Sequence, residues 1–431
     1  MREMKESGVD WIAHIPTDWT TNKMKYLFSN GKGLSITKEN LIEAGLPVIS
    51  YGQIHSKDNS GTDIKDTLLR YVDFQYQPNN PQCEVFQHDF VFADTSEDYD
   101  GCGNCVYKRD TSLLFGGYHA IIMHSLIKHD NRFFAYLFKT DAWRKQLREA
   151  ASGVKVFSIT QKALMNCSII IPPEDEQKEI SDFLDAKCSE LDTAVSDIQS
   201  QIETLEEYKR SVITEAVTKG LDPDVEMRDS GVQWIGDMPA HWSTMPNKYV
   251  MRKVKKICPK YNGEQILSLT MNGVIIRDLD AGGKMPTTFD GYQYVEPDNL
   301  LMCLFDIDVT PRCIGLIKDF GLTSPAYSQF IMSDNAFAPY YVYYYTMIDN
   351  DKTLLHLAKN LRHSLTEEQL GAISVIVPPY EEQKEIADYL DSKIAEIDSI
   401  IALKKQQIET IEEYKKSLIF EYVTGKKEVG V

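Results

Sequence analysis

A chain of 431 residues with 43% hydrophobic and 10% aromatic side chains is too long for one typical domain and rich enough to bury two or three cores. Eight cysteines in this length do not make a disulfide framework, and the polar sequence behind Met1-Arg2-Glu3 carries neither a secretory signal nor a membrane span, so a cytoplasmic protein with reduced thiols is expected. The formal net charge of -18 weighs against a nucleic-acid binder, whose usual footprint is clustered Lys and Arg.

Segment 6–19 (ESGVDWIAHIPTDW) opens the chain and recurs as 229–242 (DSGVQWIGDMPAHW), an offset of 223 and a match too long to be chance. From Thr20 to Met165 there are 17 basic and 16 acidic residues, so this block is nearly neutral. Its apolar runs Leu46–Tyr51, Phe90–Phe92 and His119–Met123 read as strands, and Asp130 to Glu149 reads as helical. Next comes IIIPPEDEQKEI (169–180), which returns as VIVPPYEEQKEI (375–386) at an offset of 206; the likeness continues through QIETLEEYK (201–209) and QIETIEEYK (407–415).

After each Pro-Pro, an acidic first turn and apolar residues three or four apart predict a long helix of about 45 residues. Cys188, Val195 and Ile202 fall at heptad position a, with Leu184, Leu191, Ile198, Leu205 and Val212 at d. In the second copy Ile394, Ile401 and Ile408 are at a, with Leu390, Ile397, Ile411 and Leu418 at d. The seam suits a coiled coil of the two copies, antiparallel, with Lys209, Lys404 and Lys415 interrupting it in ways that fix register. The second variable block, Ser243 to Gly371, holds 13 basic and 14 acidic residues, a strand-like run at Leu300–Phe305 and the tyrosine run 340–345.

The fall in offset makes the second block 17 residues shorter, and the two blocks share little sequence. One scaffold therefore presents two different cassettes, a pattern suited to two different ligands rather than to a duplicated active site. Residues 172–218 (4 basic, 13 acidic) and 374–424 (6 basic, 11 acidic) hold most of the negative charge, so the acid belongs to the connectors. The expected fold is α+β: two α/β domains separated by two long antiparallel coiled-coil helices, related by a pseudo-two-fold internal repeat. Its segments are 1–168, 169–220, 221–374 and 375–431.

The motifs that resemble catalytic ones read better as structure. Pro378-Pro379-Tyr380 has Val377 where an adenine methyltransferase needs Asp or Asn, and Pro is favoured at a helix start. Glu176-Gln177-Lys178 and Glu382-Gln383-Lys384 match the tail of a nuclease pattern without its upstream acid, and surface ion pairing accounts for them. Cys102-Gly-Asn-Cys105 has zinc-like spacing but no further pair of ligands, and there is no glycine-rich nucleotide loop. The tyrosine run could stack bases, but core positions explain it better.

The Trp-Ile-x-x-x-Pro-x-x-Trp entry, a variable domain ending in Pro-Pro, and Glu-Gln-x-x-Ile opening a long helix, all repeated once, are similar to the specificity subunits of type I restriction-modification systems. That resemblance implies two target recognition domains, each reading one half of a bipartite asymmetric sequence in double-stranded DNA. It also implies a helical ruler for the spacer and docking of two methyltransferase subunits and of restriction-translocase subunits. The chain itself would be non-catalytic and bind no cofactor, with S-adenosylmethionine, ATP and Mg2+ on the partners.

Base and phosphate chemistry then selects Lys32, Ser35, Thr37, Lys38, Tyr51, Gln53, His55, Lys57 and Lys155 in the first domain. In the second it selects Arg252, Lys253, Lys255, Lys256, Asn272, Arg312, Lys359, Asn360, Arg362 and His363. The rivals are a coiled-coil adaptor that binds protein alone, and a methyltransferase or nuclease in its own right. The near-neutral blocks predict weak DNA binding by the isolated chain.

Overall fold

The computed structural model describes residues 2–126, 131–153, 155–280, 286–308, 314–350, 352–357 and 364–430. It divides into two compact units, Met1–Asp197 with Gln406–Val431, and Ile198–Lys405. Both boundaries fall inside the two long helices, Glu174–Lys219 and Tyr380–Val423. The four segments expected from the sequence are thus regrouped, each unit holding one variable block and one end of each helix.

Different sequences build the same frame in both units. The strand after the entry motif, Thr20–Lys23 or Ser243–Pro246, pairs antiparallel with the strand before Pro-Pro, Ser168–Ile171 or Ser374–Val377. In the first unit a four-stranded sheet runs Phe28–Lys32, Ala120–Ser125, Phe90–Ala93, Cys105–Tyr107 in spatial order. In the second the order is Met251–Val254, Ser328–Met332, Leu300–Met302, Ile314–Leu316.

Both faces of the first sheet are covered. Phe90, Phe92, Ile121 and Met123 join the core that holds Trp19, Phe138 and Trp143, whereas Val91, Ala93, Ala120 and Ile122 join a separate core with Leu34, Val48 and Phe115. The helix expected over 130–149 is two, Arg132–Lys139 and Asp141–Ala150: Thr140 leaves helical geometry and its hydroxyl accepts from Trp143 N to cap the second. The run at Leu300–Phe305 is strand only through Met302.

Within each unit the helix ends pack antiparallel. In the first, Phe183 meets Tyr422 at 4.4 Å between ring centroids and Asp192 pairs with Lys415. In the second, Gln201 accepts from Lys404 and Asp398 pairs with Lys209 at 2.6 Å. Each lysine that interrupts the seam thus reaches a polar partner on the other helix. Leu184, Cys188, Ile202, Val212, Leu390, Ile397, Ile401 and Leu418 are buried; Leu191, Val195, Ile198, Leu205, Ile394, Ile408 and Ile411 are half-buried.

The repeated motifs meet in space, which corrects the reading of Glu176 and Glu382 as surface ion pairs. Trp19 Nε1 donates to Glu176 Oε2 at 2.8 Å, and Trp242 Nε1 donates to Glu382 Oε2 at 2.8 Å. Arg2 and His241 reach the same two carboxylates. The next residue ties off the Pro-Pro turn: Gln177 Nε2 donates to Pro172 O and Gln383 Nε2 to Pro378 O. About two turns further on, Asp185 accepts from Tyr136 and Asp391 from Tyr343. Each variable block is thus fastened to its long helix by the same three kinds of contact.

Candidate nucleic-acid interface

In the first unit the loops at one end of the sheet converge. Lys32 ends its strand, and Gly33 N donates to Ala120 O while Leu34 N donates to Gly116 O. A Cβ on Gly33 would lie 1.9 Å from Gly117 O, so only glycine allows this approach. The short helix Tyr51–Ile54 begins directly after the strand Leu46–Ile49, and Tyr51 sits edge-on to Tyr118 and His119, both at 5.5 Å.

His119 adopts a left-handed backbone (φ 53) with its side chain 54% exposed. Its Nδ1 lies 3.0 Å from Asp94 Oδ1, and Thr95 Oγ1 donates to the same oxygen. A non-glycine residue held there carries some backbone strain, as it does at His88, Asp298, Asp306 and Lys352. The strand Phe157–Ser158 pairs with Thr95–Ser96, Ile159 N donates to Asp94 O, and exposed Lys155 lies on the far side of Ser96 from Asp94.

The structure therefore groups Lys32, Ser35 and Tyr51, but not Lys155, around a cluster of Asp94, Thr95, Tyr118 and His119 that the sequence did not single out. Asp94 and His119 are 25 residues apart and meet only because their strands are neighbours. Three candidates are occupied locally. Gln53 Oε1 accepts from Ser50 N and Thr37 N donates to Asn40, both as caps. His55 accepts from the Asn104 amide at Nδ1 and donates from Nε2 to Thr95 O, which spends both ring nitrogens inside the domain. Lys38 is exposed next to the Thr37 cap, and exposed Lys57 lines a separate cleft.

In the second unit Arg252, Lys255 and Lys256 are exposed along and just after the strand Met251–Val254, while Lys253 lies 3.5 Å from Glu367. Lys256 covers the Tyr294 ring at 5.5 Å, and Tyr294 stacks on the 52%-exposed Phe320 at 5.9 Å. Neither aromatic ring was foreseen. Asn272 sits at the tip of a hairpin formed by Leu267–Thr270 and Gly273–Ile276, beside the 66%-exposed Met271. Arg312, Lys359, Asn360, Arg362 and His363 lie outside the described residues.

The tyrosine run is core. Tyr340, Tyr341, Tyr344 and Tyr345 are buried in the helix Ala338–Asn350, and Tyr340 donates to Val217 O. Cys102 and Cys105 are buried thiols, and among the described residues no group of three His, Cys, Asp or Glu side chains is placed to hold a metal. No described helix is long and apolar enough to cross a membrane.

The family model described as "Type I restriction modification DNA specificity domain" matches residues 16–204 and 317–413. The chain belongs to this family, whose members are the non-catalytic DNA-recognition subunits of type I restriction-modification systems. The putative type I restriction enzyme MjaX specificity subunit of Methanocaldococcus jannaschii is 25% identical over 96% of this chain and 95% of its own.

Two solved structures share the fold. A chain from a study of complex assembly and conformational transition of the type I R-M system has a TM-score of 0.68 and 14% identity, covering 96% of this chain and 99% of that one. The HsdS subunit from Thermoanaerobacter tengcongensis has a TM-score of 0.51 and 16% identity, covering 96% and 98%.

Proposed function

We propose that this chain reads a bipartite, asymmetric DNA target, one half with each unit, and that the antiparallel helices set the gap between the halves. The observation that carries this reading is the contrast between frame and end: the two units share one sheet order and one set of fastenings, yet expose different side chains. A polar cluster around Asp94, Tyr118 and His119 ends the first, and a basic run with stacked aromatics and a hairpin ends the second. Two-stranded ribbons fit the major groove, where Asn reads adenine and apolar groups meet the thymine methyl.

The helices support partner docking in duplicate. Tyr208 and Tyr414 occupy the same position of the two repeats and are 49% and 56% exposed, which no core requirement explains. Duplicated surfaces suit two copies of one methyltransferase subunit, with restriction-translocase subunits joining them in the cytoplasm. S-adenosylmethionine, ATP and Mg2+ chemistry would reside on those partners. Tyr414→Glu should leave a complex with one methyltransferase subunit per chain instead of two, measured by native mass spectrometry.

The reading is tested by expressing the chain with the methyltransferase subunit in a host lacking methylation and mapping modified adenines by single-molecule sequencing. A two-part motif with a fixed gap is expected; no methylation from an assembled complex would favour the protein-only adaptor. In the same assay Asn272→Ala should relax one base of one half-site by about tenfold, the worth of a good base contact, and leave the other half-site unchanged.

A further inference from the structure

The first unit contains a half-open cleft of about 1100 Å³ that the DNA-reading cluster does not use. Its walls are residues 57–61 with Lys65, the junction at Lys139–Asp141, and the paired helix ends around Asp192 and Lys415. Seven cationic side chains line it against five carboxylates, a local excess of positive charge in a chain of net charge -18.

Four of the cations, Lys57, Lys65, Lys139 and Lys416, have no ion-pair or hydrogen-bond partner among the described residues. Several lysines elsewhere on the long helices are paired, Lys187 with Glu190, Lys209 with Asp398, Lys384 with Glu381 and Lys393 with Glu396, so it is the gathering of four unpaired ammonium groups in one cleft, rather than the lack of a partner at any one of them, that sets this place apart. Of the carboxylates, Asp141 is held by Arg148 and Asp192 by Lys415; Asp58, Asp100 and Glu412 remain to face the ligand.

Lys139 is the least explicable as a solvated surface charge. It ends the helix Arg132–Lys139, and the loop above it approaches so closely that a Cβ on Gly61 would sit 3.0 Å from Lys139 Cγ. Gly61 also has φ +77, so the loop is built around this lysine at a residue without a side chain. Phe138 and Phe420 contribute apolar wall beside it.

We infer that this cleft binds a small oligophosphate, with Lys139 and Lys416 as its central contacts and Lys57 and Lys65 at the rim. Several ammonium groups spread over a cleft suit a ligand with several charges, and lysine binds phosphate as a point charge without demanding planar geometry. The volume also leaves room for a group attached to the phosphates against the two phenylalanines.

Burial, followed by the nearby Lys415, lowers Lys139 to about 8. An anion beside the amine restores its charge, so binding above pH 8 takes up a proton.

The test is calorimetric titration of inorganic tripolyphosphate, and separately of ATP, into the full chain purified with its methyltransferase partner. Both ligands are expected to bind, with ATP equal to or tighter than tripolyphosphate. Lys139→Met and Lys416→Met should each weaken binding at least tenfold, Lys139→Arg should retain it, and Lys393→Met should change it less than twofold. At pH 8.5 the wild type should show proton uptake in buffers of different ionisation enthalpy, and Lys139→Met should not. Exposed Lys416 keeps the test open if Lys139→Met fails to fold. Absence of binding, binding indifferent to both lysines, or displacement of tripolyphosphate by nonspecific duplex DNA would each overturn the proposal.

Discussion

Excising one heptad from each long helix, residues 195–201 and 405–411, should bring the two halves of the methylated motif about three base pairs closer. Seven residues shorten a helix by about 10.5 Å, and base pairs are spaced about 3.4 Å apart. The choice of residues preserves the seam. Val195 and Ile198 leave one helix, Ile408 and Ile411 leave the other, and each a and d position beyond the cut keeps its heptad place.

Both interhelical ion pairs survive as well, because Asp192–Lys415 and Lys209–Asp398 flank the excised stretch and move together, whereas the Lys404 contact with Gln201 is lost. Three base pairs also turn the second half-site by roughly 100° about the DNA axis, so methylation should slow even where the new gap is accepted. The measured quantity is the gap in the mapped motif. An unchanged gap in an active variant would sink the ruler.

The second large effect is on stability. Trp242 is 1% exposed, packs with Val217, Met238 and Tyr340, and donates to Glu382. Trp242→Ala should cost about 3–5 kcal/mol, a large part of the roughly 5–15 kcal/mol that holds an ordinary domain together. The urea midpoint of the second unit should fall accordingly.

Trp242→Phe keeps most of the apolar area and removes the donor, at about 1–3 kcal/mol for a carboxylate left short of a partner. Trp19→Phe should cost less, because Glu176 keeps the two-pronged contact with Arg2, whereas Glu382 keeps only His241. Equal costs at the two sites would mean that the indole hydrogen bond matters little and packing carries the position.

The comparison of sequence with structure separates along physical lines. The duplication and the long helices were legible because heptad periodicity and acidic first turns are local signals that survive in one chain. The roles of Glu176 and Glu382 were not, although both were noticed: the indoles they accept from lie 157 and 140 residues away. Strand order was hidden because Phe90–Ala93 is buried at every position, so the alternation that marks a half-exposed strand is missing.

At the candidate interface, residue type led to Lys32, Tyr51 and Lys256, none of which is buried, but could not show that His55 and Gln53 spend their polar atoms internally. Nor could it find His119, which meets Asp94 and Tyr51 only in the folded chain, or Phe320, which reads as any other aromatic until its exposure is known.

The buried cysteines give the chain a built-in clock for local opening. Cys83, Cys102, Cys105, Cys167 and Cys188 lie in the first unit and Cys258 and Cys303 in the second, all buried. Burial raises the first five thiols, Cys105 and Cys167 to about 12. A thiol that is neither ionised nor accessible reacts only when its surroundings open, so alkylation rates resolved by mass spectrometry report breathing residue by residue. A ligand or subunit that clamps one half of the molecule would slow that half's thiols and leave the others unchanged, making its site of action visible without any engineered label.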